Sequence, residues 1–241
     1  MIALRSVLFL LGSFVVTAIF GILVPLGGIF GFRAAARLAA AYAGIVVKWA
    51  EWSCGIAHEV EGWEHVPDHP VVIMAKHQSA WETIFMESRF PPQCWIVKRE
   101  LLWLPFVGWS LIAIRAIAID RSSGQTAREQ IIEQGRKRLQ QGMWISIFPE
   151  GTRIAPGKRG RYGIGGALLA THTATPILPI AHNAGEFWPR YAFRKRPGCV
   201  KVVIGPLIAT QGRDAISVNA EVEAWIEAQM RRISPERYAA P

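Results

Sequence analysis

Cysteine is scarce in this chain of 241 residues, and its spacing excludes two common uses of the residue. The three cysteines, Cys54, Cys94 and Cys199, lie far apart, and no C-x-x-C pair occurs. Neither a zinc site nor a disulfide framework is therefore predicted. The spacing of His65 and His69 suits a metal only on a helix, and the proline between them disfavours a helix. We expect reduced thiols, no bound metal and no cofactor.

Sequence signatures of nucleotide binding and serine hydrolysis are also missing. Five residues separate Gly151 from Gly157, one more than a phosphate-binding loop needs, and Lys158 is followed by arginine rather than serine or threonine. The glycines within 163–166 lack the third glycine of a dinucleotide-binding fingerprint. No G-x-S-x-G motif occurs, which excludes a typical serine hydrolase.

Acidic residues are outnumbered, with 18 Asp and Glu against 27 Lys and Arg, so the net charge is +9. No helix-turn-helix, zinc-finger or RNA-binding motif accompanies this excess, and we predict no nucleic-acid partner. Hydrophobic residues make up 51% of the chain, and ten are tryptophans. Basic, aromatic and apolar character together suits a protein that lies on an anionic membrane, with membrane lipids as partners.

Charge is absent between positions 6 and 32, where the chain is mostly apolar. About 20 apolar residues span the core of a bilayer. The run therefore predicts either one transmembrane helix or a helix that enters one leaflet and turns back. Pro25 and the glycines at 27, 28 and 31 are expected to break its second half.

Residues 33–53 predict a second, alanine-rich helix, packed beside the first or lying in the interface. The length of the first run disfavours a cleaved signal peptide, and a buried hairpin in a soluble fold stays an alternative. We expect residues 1–56 to form a membrane-embedded helical hairpin and residues 57–241 to form an α/β domain.

Short apolar runs alternate with helical patterns in the second region. Strands are predicted at 58–62, 71–74, 94–98, 116–121, 143–148, 176–181 and 199–204, and helices at 125–141, 165–172 and 217–232. This pattern indicates an α/β fold with a central mixed sheet flanked by helices. Several strands end in polar or basic residues, and ligands bind at the carboxyl ends of strands in open α/β sheets.

His77 stands where the run at 71–74 ends and a helix begins, with Ser79 as the expected N-cap. Glu82 follows five positions later, roughly 140° away around a continuous helix, so the two side chains meet only if His77 lies in the preceding turn. An imidazole oriented by an acid is the pair that general-base catalysis uses. The same residues fit the S-x-x-E capping box, in which Glu82 bonds the backbone N–H of Ser79. Both interpretations stay open on this stretch alone.

Several stretches, in order, resemble the four blocks of the glycerolipid acyltransferases, and most closely those of the bacterial 1-acyl-sn-glycerol-3-phosphate acyltransferases. The matching stretches are HQSAWE at 77–82, KRELLWLPFVG at 98–108, IDR at 119–121, FPEGTR at 148–153 and ILPI at 177–180. The chain departs from the family at two places. Glu82 replaces the aspartate of the family's HxxxxD motif, and Tyr162 replaces a lysine that precedes a glycine after the third block.

The resemblance implies acyl transfer from acyl-CoA or acyl-carrier protein to the sn-2 hydroxyl of lysophosphatidic acid, giving phosphatidic acid in phospholipid biosynthesis. It implies that His77 is the general base and Glu82 its orienting acid. The substrate-binding residues that it implies are Lys98, Arg121, Glu150, Gly151, Thr152 and Arg153. Backbone N–H groups at the helix start or the Gly151 turn would stabilise the oxyanion.

The implied location is the cytoplasmic face of a bacterial inner membrane, where thioester donors are found. Two alternatives remain at this point. The chain could acylate another lyso-lipid, such as a lyso-aminolipid, or it could bind membrane lipids without turnover.

Overall fold

A computed structural model of the protein describes residues 1–120 and 124–238. The helices are α1 (Ile2–Ile29), α2 (Phe32–Cys54), α3 (Trp81–Arg89), α4 (Val107–Ala113), α5 (Gln125–Gln140), α6 (Gly165–His172), α7 (Ala215–Ile233) and α8 (Pro235–Tyr238). The strands are β1 (Ile56–Glu61), β2 (Val72–Ala75), β3 (Gln93–Lys98), β4 (Ile117–Ile119), β5 (Trp144–Ile147), β6 (Ile177–His182) and β7 (Gly198–Ile204).

The seven strands form one mixed sheet in the order β1-β7-β6-β2-β5-β3-β4. Five neighbouring strands, from β6 to β4, run parallel to one another. Strands β7 and β1 are parallel to each other, and β7 is antiparallel to β6. The carboxyl ends of β2, β3, β5 and β6 therefore meet at one edge of the sheet, and the predicted α/β fold with a mixed sheet is confirmed.

Helices cover both faces of the sheet because its strands are apolar on both sides, as in Val72 and Ile73, which are both fully buried. One core cluster joins one face to α1, α2 and α3 through residues such as Phe9, Ala50 and Phe85. A second cluster joins the opposite face to α5, α6 and α7. The protein thus has three layers, with the N-terminal hairpin in the first.

Helices α1 and α2 form the expected N-terminal hairpin. They pack closely at Gly12, where a Cβ would come within 2.4 Å of the Trp49 ring. Gly31 makes the turn between them with φ +103°, a backbone conformation that other residues rarely adopt. Helix α1 is apolar and long enough to cross a membrane, and only 17% of its most apolar window is buried.

The prediction that Pro25, Gly27 and Gly28 break the first helix is wrong, whereas Gly31 does lie in the turn after it. Helix α1 runs through Pro25, Gly27 and Gly28 to Ile29. A proline inside a helix removes one hydrogen bond, whereas ending the helix in apolar surroundings leaves several backbone groups without partners. Continuing the helix is therefore the less costly solution.

The predicted strands and helices of the second region are confirmed with shifts of one or two residues at their ends, apart from the strand at 116–121, whose last residue lies outside the described residues. The N-cap of α3 is Ala80 rather than the predicted Ser79, because the helix begins at Trp81. The Ser79 hydroxyl nevertheless accepts the backbone N–H of Trp81 at 3.1 Å and so still caps the helix. The boundary between residues 56 and 57 stays a prediction.

Candidate active site

The His77 ring and the Glu82 carboxylate meet at the amino end of α3. His77 lies in the turn after β2, and its Nδ1 is 2.9 Å from Glu82 Oε1. Since the carboxylate accepts, Nδ1–H donates, which leaves Nε2 as the basic nitrogen of the neutral ring. No hydrogen bond from the described residues reaches Nε2.

Glu82 is also the cap of its own helix. The same oxygen, Oε1, accepts the backbone N–H groups of Gln78 at 2.9 Å and Ser79 at 2.8 Å. Burial raises the pKa of Glu82, but the electrostatic influence of His182 and the hydrogen bonds from His77 and Ser79 outweigh it, so the pKa lies below its ordinary value. The capping interpretation and the orienting interpretation are therefore compatible, because one ionised oxygen does both.

The position of His77 is fixed from three further directions. Its ring stacks on Phe148 with centroids 3.9 Å apart and planes 7° from parallel. Its backbone N–H donates to Glu150 Oε2 at 2.9 Å, and its carbonyl accepts the N–H of Ile154 at 2.8 Å. The loop after β5 thus holds both backbone polar groups of His77, which limits the movement of the ring.

A cavity of about 600 Å³ lies beside His77, between the N-terminal hairpin and the sheet. Its apolar wall comes largely from α1, α2, β3 and α4, and includes Phe20, Val24, Ala39, Ala43, Val97 and Leu111. The volume and the apolar lining fit a drug-sized or lipid-sized ligand. The wall brings together segments that lie far apart along the chain, and local sequence patterns do not show such contacts.

Positive charge is concentrated on the exposed part of the same cavity, where Lys98, Arg153 and Arg190 contribute to the lining. Lys98 pairs with Glu100 at 2.9 Å. Within residues 1–120 and 124–238, Arg153 and Arg190 have no carboxylate at ion-pair distance. Two guanidinium groups without acid partners favour an anionic ligand there.

Arg190 is a cavity residue that sequence reasoning did not select, since the basic and aromatic stretch around it resembles any interfacial loop. Its guanidinium donates to the Arg153 carbonyl at 3.2 Å and to the Tyr191 hydroxyl at 3.1 Å. Tyr191 has φ +58° and is 84% exposed, an uncommon conformation for a residue other than glycine. These contacts hold Arg190 next to Arg153 on the cavity wall.

The structure brings most of the predicted site residues together. His77, Lys98, Gly151, Thr152 and Arg153 line the same cavity. Glu150 does not line this cavity. Its side chain is fully buried behind His77, where it forms an ion pair with the Lys76 ammonium. This placement differs from the expected substrate contact. Arg121 lies outside the described residues.

Four of the backbone N–H groups at the helix start and in the Gly151 turn already have partners. Those of Gln78 and Ser79 donate to Glu82, that of Trp81 donates to Ser79 Oγ, and that of Gly151 donates to the Phe148 carbonyl at 3.0 Å. Among the described residues, no group of three or more His, Cys, Asp or Glu side chains is placed to hold a metal ion.

Comparisons with known proteins agree with this geometry. The family model described as Acyltransferase matches residues 57–183. The 1-acyl-sn-glycerol-3-phosphate acyltransferase of Pseudomonas aeruginosa is 41% identical, over 97% of this chain and 93% of its own. The alpha 1-acyl-sn-glycerol-3-phosphate acyltransferase of Mus musculus is 32% identical, over 70% of this chain and 60% of its own.

The crystal structure of the 1-acyl-sn-glycerophosphate acyltransferase from Thermotoga maritima superposes with a TM-score of 0.80, over 95% of both chains, at 20% identity. At that identity the superposition shows a shared fold. The family model covers His77, Glu82 and the loop after β5, and the Pseudomonas relative extends the match over nearly the whole chain. With these matches and an imidazole–carboxylate pair beside a lipid-sized cavity, the chain belongs to the acyltransferase family.

Proposed function

We propose that this protein transfers a fatty acyl group from a thioester to the sn-2 hydroxyl of 1-acyl-glycerol-3-phosphate. The placement of His77 carries the proposal, because Glu82 holds Nδ1 while the ring lines a cavity with a cationic part and an apolar part. The cationic part suits a phosphate and the apolar part suits an acyl chain. The names of the relatives support the same acceptor.

In the reaction, His77 Nε2 takes the proton of the acceptor hydroxyl as the hydroxyl oxygen attacks the thioester carbonyl carbon. Glu82 keeps the ring in the tautomer with a proton on Nδ1 and stabilises the imidazolium that forms. The carbon–sulfur bond then breaks, and the imidazolium returns the proton to the leaving thiolate. The acceptor hydroxyl is the nucleophile, so the protein needs no nucleophile, metal or cofactor for this step. Ser79 is fully buried and caps α3, which fits a structural use of that side chain.

Arg153, Arg190 and Lys98 bind the acceptor phosphate. A phosphate accepts forked hydrogen bonds from guanidinium groups, and both arginines lack competing carboxylates among the described residues. Gly151 and Thr152 contribute the adjoining wall. The phosphate then sets the distance between the sn-2 hydroxyl and His77.

The donor is acyl-CoA or acyl-carrier protein, and the acyl chain lies in the apolar part of the cavity. That part adjoins α1, whose outward side chains, such as Leu11, Phe14 and Ile22, are at least half exposed. Apolar side chains exposed along a long helix suit contact with lipid. We place the protein at the cytoplasmic face of a bacterial inner membrane, where both an amphipathic acceptor and a soluble donor reach the cavity.

The test is a thiol-release assay with purified protein in lipid nanodiscs. Acyl-CoA and acyl-carrier protein are offered separately, each with lysophosphatidic acid, a lyso-aminolipid or no acceptor. Release that depends on lysophosphatidic acid supports the proposal. Preference for the lyso-aminolipid assigns a different acceptor, and release from neither donor with any acceptor favours a lipid-binding protein without turnover.

A further inference from the structure

A buried group of charges lies directly behind the active site. We use the name ion cluster for Lys76, Glu150, Tyr162 and Glu227. The Lys76 ammonium is 2.7 Å from Glu150 Oε1 and 2.8 Å from Glu227 Oε1, and the Tyr162 hydroxyl donates to Glu227 Oε1 at 3.0 Å. The Lys76 side chain has no exposed surface, and that of Glu227 is 5% exposed.

The ion cluster is costly to bury, so its geometry calls for an explanation. Removing charged groups from water costs several kcal/mol per ion even after relaxation, and stability alone is more simply obtained from apolar packing. The cluster also holds two carboxylates against one ammonium. Burial raises the pKa of Glu150, and Lys76 offsets part of that effect.

Glu150 connects the ion cluster to the general base. Its Oε1 accepts a hydrogen bond from the Lys76 ammonium, while its Oε2 accepts one from the backbone N–H of His77 at 2.9 Å. Lys76 also precedes His77 in the chain, and its carbonyl accepts His182 Nε2 at 2.7 Å. Movement of the Lys76 ammonium would therefore move the backbone that carries the His77 ring.

Glu227 anchors this chain of contacts from the other end of the sequence. It lies on α7, beyond the matched family region at 57–183, and it is 151 residues from Lys76. Without Glu227, the Lys76 ammonium would have one carboxylate partner, Glu150, and the Lys158 carbonyl at 3.4 Å. The ammonium would then settle nearer Glu150 and shift the oxygen that holds His77.

We propose that Glu227 is a positioning residue for His77, acting through Lys76 and Glu150. The inference rests on the proposed function of His77 as general base. Glu227 fixes the ammonium, the ammonium fixes the Glu150 carboxylate, and the carboxylate fixes the backbone of His77. Through Glu227, helix α7 thereby controls the alignment of the His77 ring, which belongs to a distant segment of the chain.

The experiment compares Glu227→Gln with Glu223→Gln. Glu223 lies one turn earlier on the same helix, is partly exposed and pairs with the exposed Arg159, 2.6 Å away, so it is a matched control. Both variants are assayed in nanodiscs at a temperature where tryptophan fluorescence shows them fully folded. We expect kcat of Glu227→Gln to fall at least tenfold while KM for donor and acceptor changes less than twofold, because alignment affects the reacting state and leaves substrate binding intact. Glu223→Gln should keep the wild-type kcat.

Two further variants test the route. Lys76→Met is combined with Glu227→Gln in a double-mutant cycle, and if Glu227 acts through Lys76, the double variant loses no more than the worse single one. Tyr162→Phe removes only the hydroxyl contact to Glu227 and should lower kcat by a smaller factor, which keeps the test informative if the charge variants fold poorly.

The proposal is overturned if folded Glu227→Gln keeps the wild-type kcat, if its loss multiplies with that of Lys76→Met, or if Glu223→Gln loses as much. If the wild-type enzyme transfers acyl groups while any of these results is found, the proposed function still holds and only the role of Glu227 is lost. Transfer by His77→Ala at the wild-type rate would instead remove the general-base role on which this inference rests, and no transfer by the wild-type protein from either donor would remove the proposed function.

Discussion

Glu82 Oε1 lies 2.9 Å from His77 Nδ1 and also accepts two backbone N–H groups at the start of α3. One oxygen therefore caps the start of α3 and also orients the His77 ring. This sharing shows how a glutamate reaches the His77 ring at the position where the glycerolipid acyltransferases carry an aspartate. Three donors hold the oxygen in place, so the longer side chain is confined by its contacts.

Replacing Glu82 with glutamine removes the charge that stabilises the imidazolium and permits the other ring tautomer. We expect kcat of Glu82→Gln to fall by about 10²- to 10⁴-fold. The Gln side chain can still accept backbone N–H groups, so helix content by circular dichroism should stay unchanged. A loss of less than threefold in a fully folded variant would reduce Glu82 to a helix cap.

Arg190 should determine the preference for phosphate-bearing acceptors. We expect Arg190→Met to raise KM for lysophosphatidic acid about tenfold, as loss of a charge-assisted hydrogen bond does, and to leave KM for a monoacylglycerol unchanged. Arg194→Met is the control, because Arg194 is exposed on the same loop but does not line the cavity.

Comparing KM for lysophosphatidic acid with KM for acyl-CoA shows whether Arg190 binds the phosphate of the acceptor or those of the donor. A rise in KM for acyl-CoA alone would assign Arg190 to the donor's phosphates. An equal effect of Arg194→Met would show that only the general charge of the loop matters.

Ala43 lies on α2 in the apolar wall of the cavity and is 1% exposed. Ala43→Leu places an isopropyl group in the space assigned to the acyl chain. We expect kcat/KM for long acyl thioesters to fall at least tenfold more than for short ones, measured over a series of donors. Ala41→Leu, on the exposed side of the same helix, should leave the chain-length profile as it is. An unchanged profile in Ala43→Leu would place the acyl chain elsewhere.

Glu87 on α3 is buried, with its carboxylate accepting the Trp95 indole N–H. Burial raises the pKa of Glu87 from 4.5 to about 7, although the Trp95 hydrogen bond opposes the rise. Between pH 4.5 and about pH 7, the Glu87 carboxyl group keeps its proton in the folded protein and releases it in the unfolded chain. Stability therefore decreases as pH rises through this window, by roughly 3 kcal/mol in all.

Glu87→Gln mimics the protonated side chain and should remove this pH dependence. We expect its Tm in nanodiscs to exceed the wild-type value at pH 8 and to match it near pH 4.5. Glu133→Gln, an exposed substitution on α5, serves as the control. A variant whose Tm follows that of the wild type at every pH would contradict the assignment.

The positions of the strands could be predicted from sequence because their signals are local. Val72, Ile73 and Met74 form an apolar run that stops at a polar pair, and such runs buried on both faces are typical of parallel strands. Helical geometry also set the condition under which His77 and Glu82 meet, since only a turn before the helix brings the two together.

The rest of the site depends on contacts between distant segments, which local patterns do not show. Lys76 and Glu227 are 151 residues apart, and Glu227 lies roughly 100° around α7 from the buried Ile226, at the border of its apolar face. Arg190 reaches the cavity only because its loop folds back against Arg153. The cavity itself exists only once α1 and α2 pack against the sheet.

In the proposed mechanism, the His77 imidazole removes the proton from the acceptor hydroxyl. The most direct test is a single-turnover measurement of acyl transfer to lysophosphatidic acid by His77→Ala, with His69→Ala as an exposed control. We expect a rate lower by at least about 10²-fold in His77→Ala at unchanged acceptor affinity, and a wild-type rate in the control. Transfer by folded His77→Ala at the wild-type rate would contradict this mechanism.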